Sequence, residues 1–395
     1  MDRREAMKAS LLGAATMGIS VKGAYAAERE VVQASGADTR GVAMTDLPLV
    51  SVFDYEAAAK KKLSFAGWEY YDEGTGDAIT MKRNRSALDG LQLKPRTMVD
   101  VTNIDVSCTV LGFKMAHPII LAPAASHQYA HPEGEVATAR GAAEADTTMM
   151  LSTNSNRSIE DVYKAASTPV WFQLYVDDDR GMTRSLIERA EAAGNKVLVI
   201  TADNPVSYAR NREERSAPLT PKLPFPNLDT ATEAGHRGRT RKHFNWADLE
   251  WIQSYAKTPI ILKGILNPDE AEEAVHRGVA GIVVSNHGGR VVDTVPASIE
   301  VLPAVVDRVA GRVPILFDSG IRRGTDIFKA IGYGATAVLI GRAYLYGLAV
   351  SGPDGVRDVV KILKTELQTA MAMMGRTKLA EIDRSVFWKS KDYSS

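Results

Sequence analysis

The residues able to do chemistry recur at intervals, each closing a short apolar run: Ser152, then Gln173 and Tyr175, Thr201 and Asp203, Lys263, His287 and Arg290, Asp318, and finally Arg342. Of the seven histidines, only His287 stands in such a place, within Ser285-Asn-His-Gly-Gly-Arg290. An imidazole titrating near neutrality is a candidate general base. Asp203 is available to orient it, and Gly288 and Gly289 beside it would let a ligand approach closely. Further on, Asp318-Ser-Gly320-Ile-Arg322 and Ile340-Gly341-Arg342 place small residues before helix starts, with arginines nearby. Backbone N–H groups, a helix dipole and a guanidinium together make an anion site. No G-x-x-x-x-G-K-[ST] occurs, and no G-x-G-x-x-G follows a first strand, so a phosphorylated cofactor would be held by other means. His127 and His131 lie four apart but form no H-E-x-x-H, so no metal is expected. His117 and His276 read as edge or helix-surface residues, and His236 and His243 fall in a long loop.

The apolar runs that carry these residues are Pro118–Ala122, Thr147–Thr153, Val170–Val176, Val197–Asp203, Pro259–Ile265, Gly281–Gly288, Val313–Gly320 and Ala337–Arg342. Each is short and rich in Val, Ile and Leu, as strands buried on both faces are. Between them lie amphipathic segments such as Met182–Ala193, Pro268–Arg277 and Gly324–Ile331, opened by Pro, Asp or Thr and closed near Gly. Eight such units predict an α/β (β/α)8 TIM barrel, whose reacting groups sit at the carboxyl ends of the strands. An N-terminal helical extension, with Tyr55–Tyr71 as a helix pair, would flank the barrel or cover its bottom. One spacing is anomalous. Between Val197 and Pro259 the segment 204–245, rich in Pro and Arg, reads as a lid-type insertion after strand four.

The 395 residues balance 48 Lys+Arg against 48 Asp+Glu, which argues against nucleic acid as a partner. A single cysteine, Cys108, forbids an intramolecular disulfide or a multi-cysteine metal site. Residues 1–26 have the form of an export signal: the charged head Met1–Lys8, a mildly apolar run and Ala24-Tyr-Ala26. Arg3-Arg4 with Lys8 is similar to a twin-arginine signal, although Ala6 replaces its usual Phe. Periplasmic export is expected if the signal works, and a cytoplasmic protein if it does not.

Over 46–385 the chain resembles the FMN-dependent L-2-hydroxy acid oxidase and dehydrogenase family, which includes glycolate oxidase, lactate oxidase and the bacterial L-lactate and mandelate dehydrogenases. The motifs that carry the likeness are Ser285–Arg290, Asp318–Asp326, Leu121-Ala-Pro-Ala-Ala125, His131-Pro-Glu-Gly-Glu135 and Phe172-Gln-Leu-Tyr175. The resemblance implies FMN, with its ring held by Pro123, Ala124, Ala125, Ser152, Gln173, Thr201, Lys263 and Ser285. Asp318, Gly320, Arg322, Gly341 and Arg342 would hold the ribityl chain and phosphate. It further implies a substrate site of Tyr70, Tyr175, Arg210, His287 and Arg290. There His287, backed by Asp203, would take a proton while the arginines grip a carboxylate. Arg210 is favoured over Arg212 for that grip, by its count from Thr201. The implied reaction converts a small, lactate-like L-2-hydroxy acid to the 2-oxo acid, passing electrons to O2 or to a separate quinone or cytochrome. A homotetramer is expected from the same likeness.

Departures from the family pattern bear on substrate and acceptor. Asn154 stands where glycolate oxidase has Trp, so the pocket wall is smaller and more polar, and Ser319 replaces a usual Gly. Ala125 resembles the oxidases and leans toward O2. Two other readings stand beside this one. An FMN barrel isomerase of the type 2 isopentenyl diphosphate isomerase kind would have no use for a carboxylate clamp. A non-enzymatic exported barrel would not need the catalytic ring.

Overall fold

The computed structural model describes residues 48–206, 210–228 and 244–389. The expected export signal, His236, His243 and the later part of the insertion lie outside the described residues.

All eight apolar runs become parallel strands, trimmed at their ends. They are β3 (Ile119–Leu121), β4 (Thr148–Ser152), β5 (Val170–Leu174), β6 (Leu198–Thr201), β7 (Ile260–Ile265), β8 (Gly281–Val284), β9 (Ile315–Asp318) and β10 (Ala337–Ile340). β10 pairs with β3 and closes the barrel. Continuous apolarity has a simple cause here: alternate residues feed two separate cores. Ile120, Met150, Trp171, Val199, Ile261, Val283, Leu316 and Leu339, one from each strand, pack together in one cluster. Their neighbours Leu121, Leu151, Phe172, Ile200, Leu262, Ile282, Phe317 and Ile340 belong to another, which they share with the helices. A period of two between an inner and an outer apolar surface leaves no position for a polar residue.

A hairpin, β1 (Cys108–Val110) and β2 (Phe113–Met115), closes the barrel's amino-terminal end. Its Val110 and Met115 join the interior cluster, and the Phe113 ring lies 6.4 Å from that of Trp171. Of the two expected placements, flanking the barrel or covering its bottom, the first three helices, α1 (Val52–Lys62), α2 (Phe65–Asp72) and α3 (Ile79–Gly90), take the flanking one. α1 packs along the long carboxyl-terminal helix, while the end of α2 reaches over the strands' carboxyl ends. α3 is fastened there at its start, where the Asp293 carboxylate accepts from the N–H groups of Asp77, Ile79 and Thr80 at 2.8–3.2 Å. Within α3, Asn84 exchanges amide hydrogen bonds of 2.8 and 2.7 Å with Asn286.

The outer layer comprises α4 (Glu135–Glu144), α5 (Ile159–Ala165), α6 (Arg180–Ala192), α8 (Trp246–Gln253), α9 (Pro268–His276), α10 (Ser298–Val309), α11 (Gly324–Gly332) and α12 (Arg342–Met373); α7 (Asn211–Ser216) belongs to the insertion. α12 is broken at Ser351–Pro353, where Gly352 takes a φ of +60°. The described part of the insertion is not a free excursion: it is built into the carboxyl end of the barrel through Asn227, which is 5% exposed. His117 is likewise not an edge residue. It is fully buried and bridges the Ala145 carbonyl (2.9 Å) and the Ile119 N–H (3.3 Å) at the entry to β3.

If the hairpin is a plug, its buried methionine matters and its exposed neighbour does not. Met115→Ala should cost about 2–5 kcal/mol in urea unfolding, and Lys114→Ala under about 0.5 kcal/mol.

Candidate active site

The same period of two assembles the site. One inward position beyond the interior cluster, the eight strands present Ala122, Ser152, Gln173, Thr201, Lys263, Ser285, Asp318 and Gly341. Polar residues confined to that level must satisfy one another, and they do so around the ring. Ser152 Oγ donates to Gln173 Oε1 (3.1 Å), and Gln173 Nε2 donates to Thr201 Oγ1 (2.9 Å). Lys263 Nζ donates to Ser285 Oγ (2.8 Å) and lies 3.1 Å from Asp318 Oδ2. Burial pushes the Lys263 pKa down, but Asp318 and Asp203 outweigh it and hold the value above the usual lysine range. The site therefore keeps a fixed buried cation.

One step further out stand Tyr175, Asp203 and His287, each two residues beyond its ring member. Ser285 Oγ accepts from the His287 N–H at 3.0 Å, and His287 takes a φ of +58°, followed by Gly288 at +67° and Gly289 at +72°. A left-handed conformation outside glycine stores roughly 1–3 kcal/mol of strain, held here by the surrounding bonds. It turns the imidazole so that Nδ1 meets Asp203 Oδ1 at 3.0 Å while Nε2 faces the Tyr175 hydroxyl at 3.4 Å. Burial lowers the His287 pKa below its ordinary 6.5, with Asp203 acting against that. The Asp203 carboxyl is pushed up by burial yet held below its usual range by His287 and Lys263, so it is ionised. The outcome is an imidazole whose Nδ1 is paired with a carboxylate and whose Nε2 faces the Tyr175 hydroxyl.

Two guanidiniums converge on the same cavity. Arg290 lies over the Tyr70 ring (5.4 Å) and donates to the Glu73 carbonyl (2.9 Å). Burial and the nearby charge of Arg210 hold its pKa below the ordinary value. Arg210 pairs with Glu213 at 2.9 Å. Arg212 is turned elsewhere, against Glu69 and Asp72 of α2, and does not line the cavity. Two partly buried guanidiniums that repel one another, one of them paired with a carboxylate, favour the entry of an anion.

Most of the sequence-predicted residues line one cavity of about 1330 Å³. Tyr70, Pro123, Ala124, Ala125, Ser152, Tyr175, Arg210, Lys263, His287, Arg290, Asp318, Gly320, Arg322, Gly341 and Arg342 are in its wall. Gln173, Thr201, Ser285 and Asp203 are not; they stand behind it and orient those that are. Of the glycines beside His287, Gly288 lines the cavity, and both also make room for their neighbours. A Cβ at Gly288 would meet Arg342 Nη1 at 2.8 Å, and one at Gly289 would meet the Met81 backbone at 2.7 Å. Arg342 itself is a staple as well as a wall, donating to the carbonyls of Tyr71 (2.8 Å), Gly288 (2.9 Å) and Glu73 (2.9 Å). Arg322 is held by Glu56 at 3.2 Å. The sequence marked Ser319 as a departure from the family pattern without giving it a role; it donates to Asp318 Oδ1 (2.7 Å) and accepts from the Gly288 N–H (3.0 Å). Sequence reasoning passed over Tyr129, packed 5.0 Å from Tyr70 in the cavity wall, and gave no role to Glu135 of the 131–135 motif, which accepts from the His127 and Asn156 N–H groups and ties two strand-end loops together. For Ser319, its place inside a strand-end motif was the available signal; Tyr129 and Glu135 depend on contacts between loops. No cluster of metal-ligating residues occurs among the described residues.

Residues 59–389 match the family model of the FMN-dependent dehydrogenases. The chain is 46% identical over 354 residues to an L-lactate oxidase of Nostoc sp., covering 85% of this chain and 97% of that one. To spinach glycolate oxidase it is 40% identical, covering 86% and 95%. Among solved structures, mandelate oxidase with benzoyl-formic acid superposes with a TM-score of 0.80 at 34% identity, covering 85% and 97%. The chain belongs to the FMN-dependent dehydrogenase family. The isomerase alternative is not favoured by these relatives.

The cavity fits the family's FMN. It has a fixed cation at Lys263 for an electron-rich ring edge. It has a second positive region at Arg322 and Arg342, where Gly341 caps the start of α12, for a phosphate. At Gly320, with φ +88°, a Cβ would strike the Asn84 backbone at 2.7 Å, so only glycine lets this wall curve past α3. The buried Lys263–Asp318 pair can be tested by a double-mutant cycle. Lys263→Met leaves the Asp318 carboxylate without its cation, and should cost about 3–5 kcal/mol in urea unfolding of flavin-free protein. Lys263→Met with Asp318→Asn should recover most of that loss; equal losses in both would contradict the pairing.

Proposed function

We propose that the protein oxidises an L-2-hydroxy monocarboxylic acid to its 2-oxo acid, with O2 as the electron acceptor. The observation that carries this reading is the convergence of Arg210 and Arg290 beside the His287–Asp203 pair in one cavity. A carboxylate between the two guanidiniums relieves their repulsion and places the neighbouring hydroxyl near His287 Nε2 and the Tyr175 hydroxyl. His287 then takes a proton, and Asp203 stabilises the imidazolium that forms. Tyr70, under the Arg290 guanidinium, fixes the plane of the clamp. FMN, when bound, accepts the electron pair released at C2. Lys263, Ser152 and the 123–125 backbone would hold its ring, Asp318 and Gly320 its ribityl chain, and Arg322, Gly341 and Arg342 its phosphate. Gln173, Thr201 and Ser285 would act through their neighbours. Ala125 in the wall and the oxidase relatives support O2 over a quinone or cytochrome.

In anaerobic protein, L-lactate is the first acid to try. It should bleach the visible flavin band, and admitting air should restore the band with release of peroxide. Bleaching without recovery would replace O2 by another acceptor. His287→Ala should stay yellow and lose about 10²–10⁴-fold in turnover. Because the working base is neutral, kcat/KM should rise with pH through a value below 6.5. Asp203→Asn removes the charge that raises that value, so its acid limb should move to lower pH while kcat falls.

We further propose export through the twin-arginine-like segment, which suits a protein that folds around its cofactor first, and assembly as a homotetramer. Exposed Val50, Phe53 and Phe65 near α1 and α2 support a covered face. Periplasmic protein should begin at Ala27, and Arg3→Lys with Arg4→Lys should keep it in the cytoplasm. Cytoplasmic accumulation of the unaltered chain would overturn this.

A further inference from the structure

Just beyond the ends of the neighbouring strands β8 and β9 stand two left-handed residues that are not glycine. His287 has a φ of +58° and Ser319 a φ of +88°. Each stores strain that glycine would not, and such strain persists only where the surroundings over-determine it. At His287 the strain has a use, since it aims the imidazole. Ser319 carries none of the chemistry above, and it stands where a glycine is usual. Its hydroxyl must therefore offset what its backbone costs.

Residues 287–289 form a run of three left-handed residues outside any helix or strand, so each N–H must find its own partner. The His287 N–H donates to Ser285 Oγ at 3.0 Å, the Gly288 N–H to Ser319 Oγ at 3.0 Å, and the Gly289 N–H to the Asn286 carbonyl at 2.9 Å. Two serine hydroxyls from different strand ends thus hold the turn, and both lead to one ion pair. Ser285 Oγ accepts from Lys263 Nζ at 2.8 Å, and Ser319 Oγ donates to Asp318 Oδ1 at 2.7 Å. Lys263 Nζ and Asp318 Oδ2 are 3.1 Å apart. The bonds close a circuit from the His287 N–H through Ser285, Lys263, Asp318 and Ser319 to the Gly288 N–H, and back along the His287 backbone. All four side chains in it are buried, Ser319 being the most exposed at 8%. Bonds in such a chain polarise one another: a hydroxyl that donates to a carboxylate is a better acceptor for the next N–H.

We propose that Ser319 is a positioning residue for the proton transfer: it ties the turn that carries His287 to the Asp318–Lys263 pair, so that the base and the buried cation keep one geometry. This rests on the reading of His287 as the base and deepens it. Asp203 fixes the imidazole at Nδ1, and the two serines fix the backbone from which the ring springs. One fixed end leaves the ring free to swing. Both together define where Nε2 stands, and proton transfer is steeply sensitive to that placement. Because a glycine is usual at this position, the tie belongs to this chain rather than to the common pattern.

The test uses Ser319→Gly and Ser319→Ala as holoenzymes. Glycine adopts a φ of +88° freely, so Ser319→Gly should fold and stay yellow. In both variants the Gly288 N–H loses its acceptor, and hydrogen exchange read by mass spectrometry should show about one additional fast amide in peptides spanning 286–290. With L-lactate, kcat should fall about tenfold in Ser319→Gly. The dissociation constant of pyruvate for the oxidised holoenzyme, set by Arg210 and Arg290, should change less than about twofold. A residue needed only for folding would not produce that split in a folded, yellow protein. In urea at one fixed excess of FMN, Ser319→Gly should unfold at a higher concentration than Ser319→Ala, because only alanine keeps the strain. An unchanged kcat in Ser319→Gly overturns the positioning role whatever the exchange shows, and retained protection of the 286–290 peptides overturns the tie. If the unaltered protein oxidises no 2-hydroxy acid, the base reading has failed and takes this proposal with it. Full turnover by both the unaltered protein and Ser319→Gly removes this proposal alone.

Discussion

A closed barrel of parallel strands has one inside, and a strand offers that inside only every second residue. This constraint organises the whole molecule. Eight residues, one per strand, fill the interior with apolar side chains from Ile120 to Leu339. The next inward position on each strand forms a polar level at the carboxyl end, where Ser152, Gln173 and Thr201 bond in one chain and Ser285, Lys263 and Asp318 in another. The position after that brings in Tyr175, Asp203 and His287. Burial pushes the Lys263 pKa down, and the closure that sets Asp318 and Asp203 near it more than offsets that push.

Beyond the strands, the polar loops divide their donors between building the site and serving it. Arg342 spends three hydrogen bonds on backbone carbonyls, and the end of α2 is held over the barrel by two of them. Tyr70 reaches the cavity because of that anchorage. Arg210 and Arg212, two residues apart, show how little separates the two uses. One lines the cavity with Arg290, while the other closes the insertion onto α2 through Glu69 and Asp72. His287 makes the same point on the backbone: its left-handed turn is sustained by the Ser285 hydroxyl below and the Asp203 carboxylate beside it.

The described part of the insertion has a comparable double use. Pro221–Leu228 is tied to loops after β4 by Asn227 and the Pro224 carbonyl, and its Leu223, Phe225 and Leu228 line the same cavity as the charged groups.

The eight strands, the barrel and the ring of reactive residues were legible in the sequence, because a strand buried on both faces must be continuously apolar and its first polar residue marks where burial ends. His287 was legible as a strand-end residue for the same reason. Other features were not. That Ser285, Gln173 and Thr201 stand behind the wall depends on which neighbour each hydroxyl or amide meets across strands. That Gly288 and Gly289 make room for Arg342 and α3 depends on segments far apart in the chain. The hairpin's role as a plug, the fully buried place of His117, and the choice of Arg210 for the cavity were settled in the same way. Local pattern determines which residues are inward; only the closed tertiary structure decides which of them touch, because those contacts join positions that no sequence period relates.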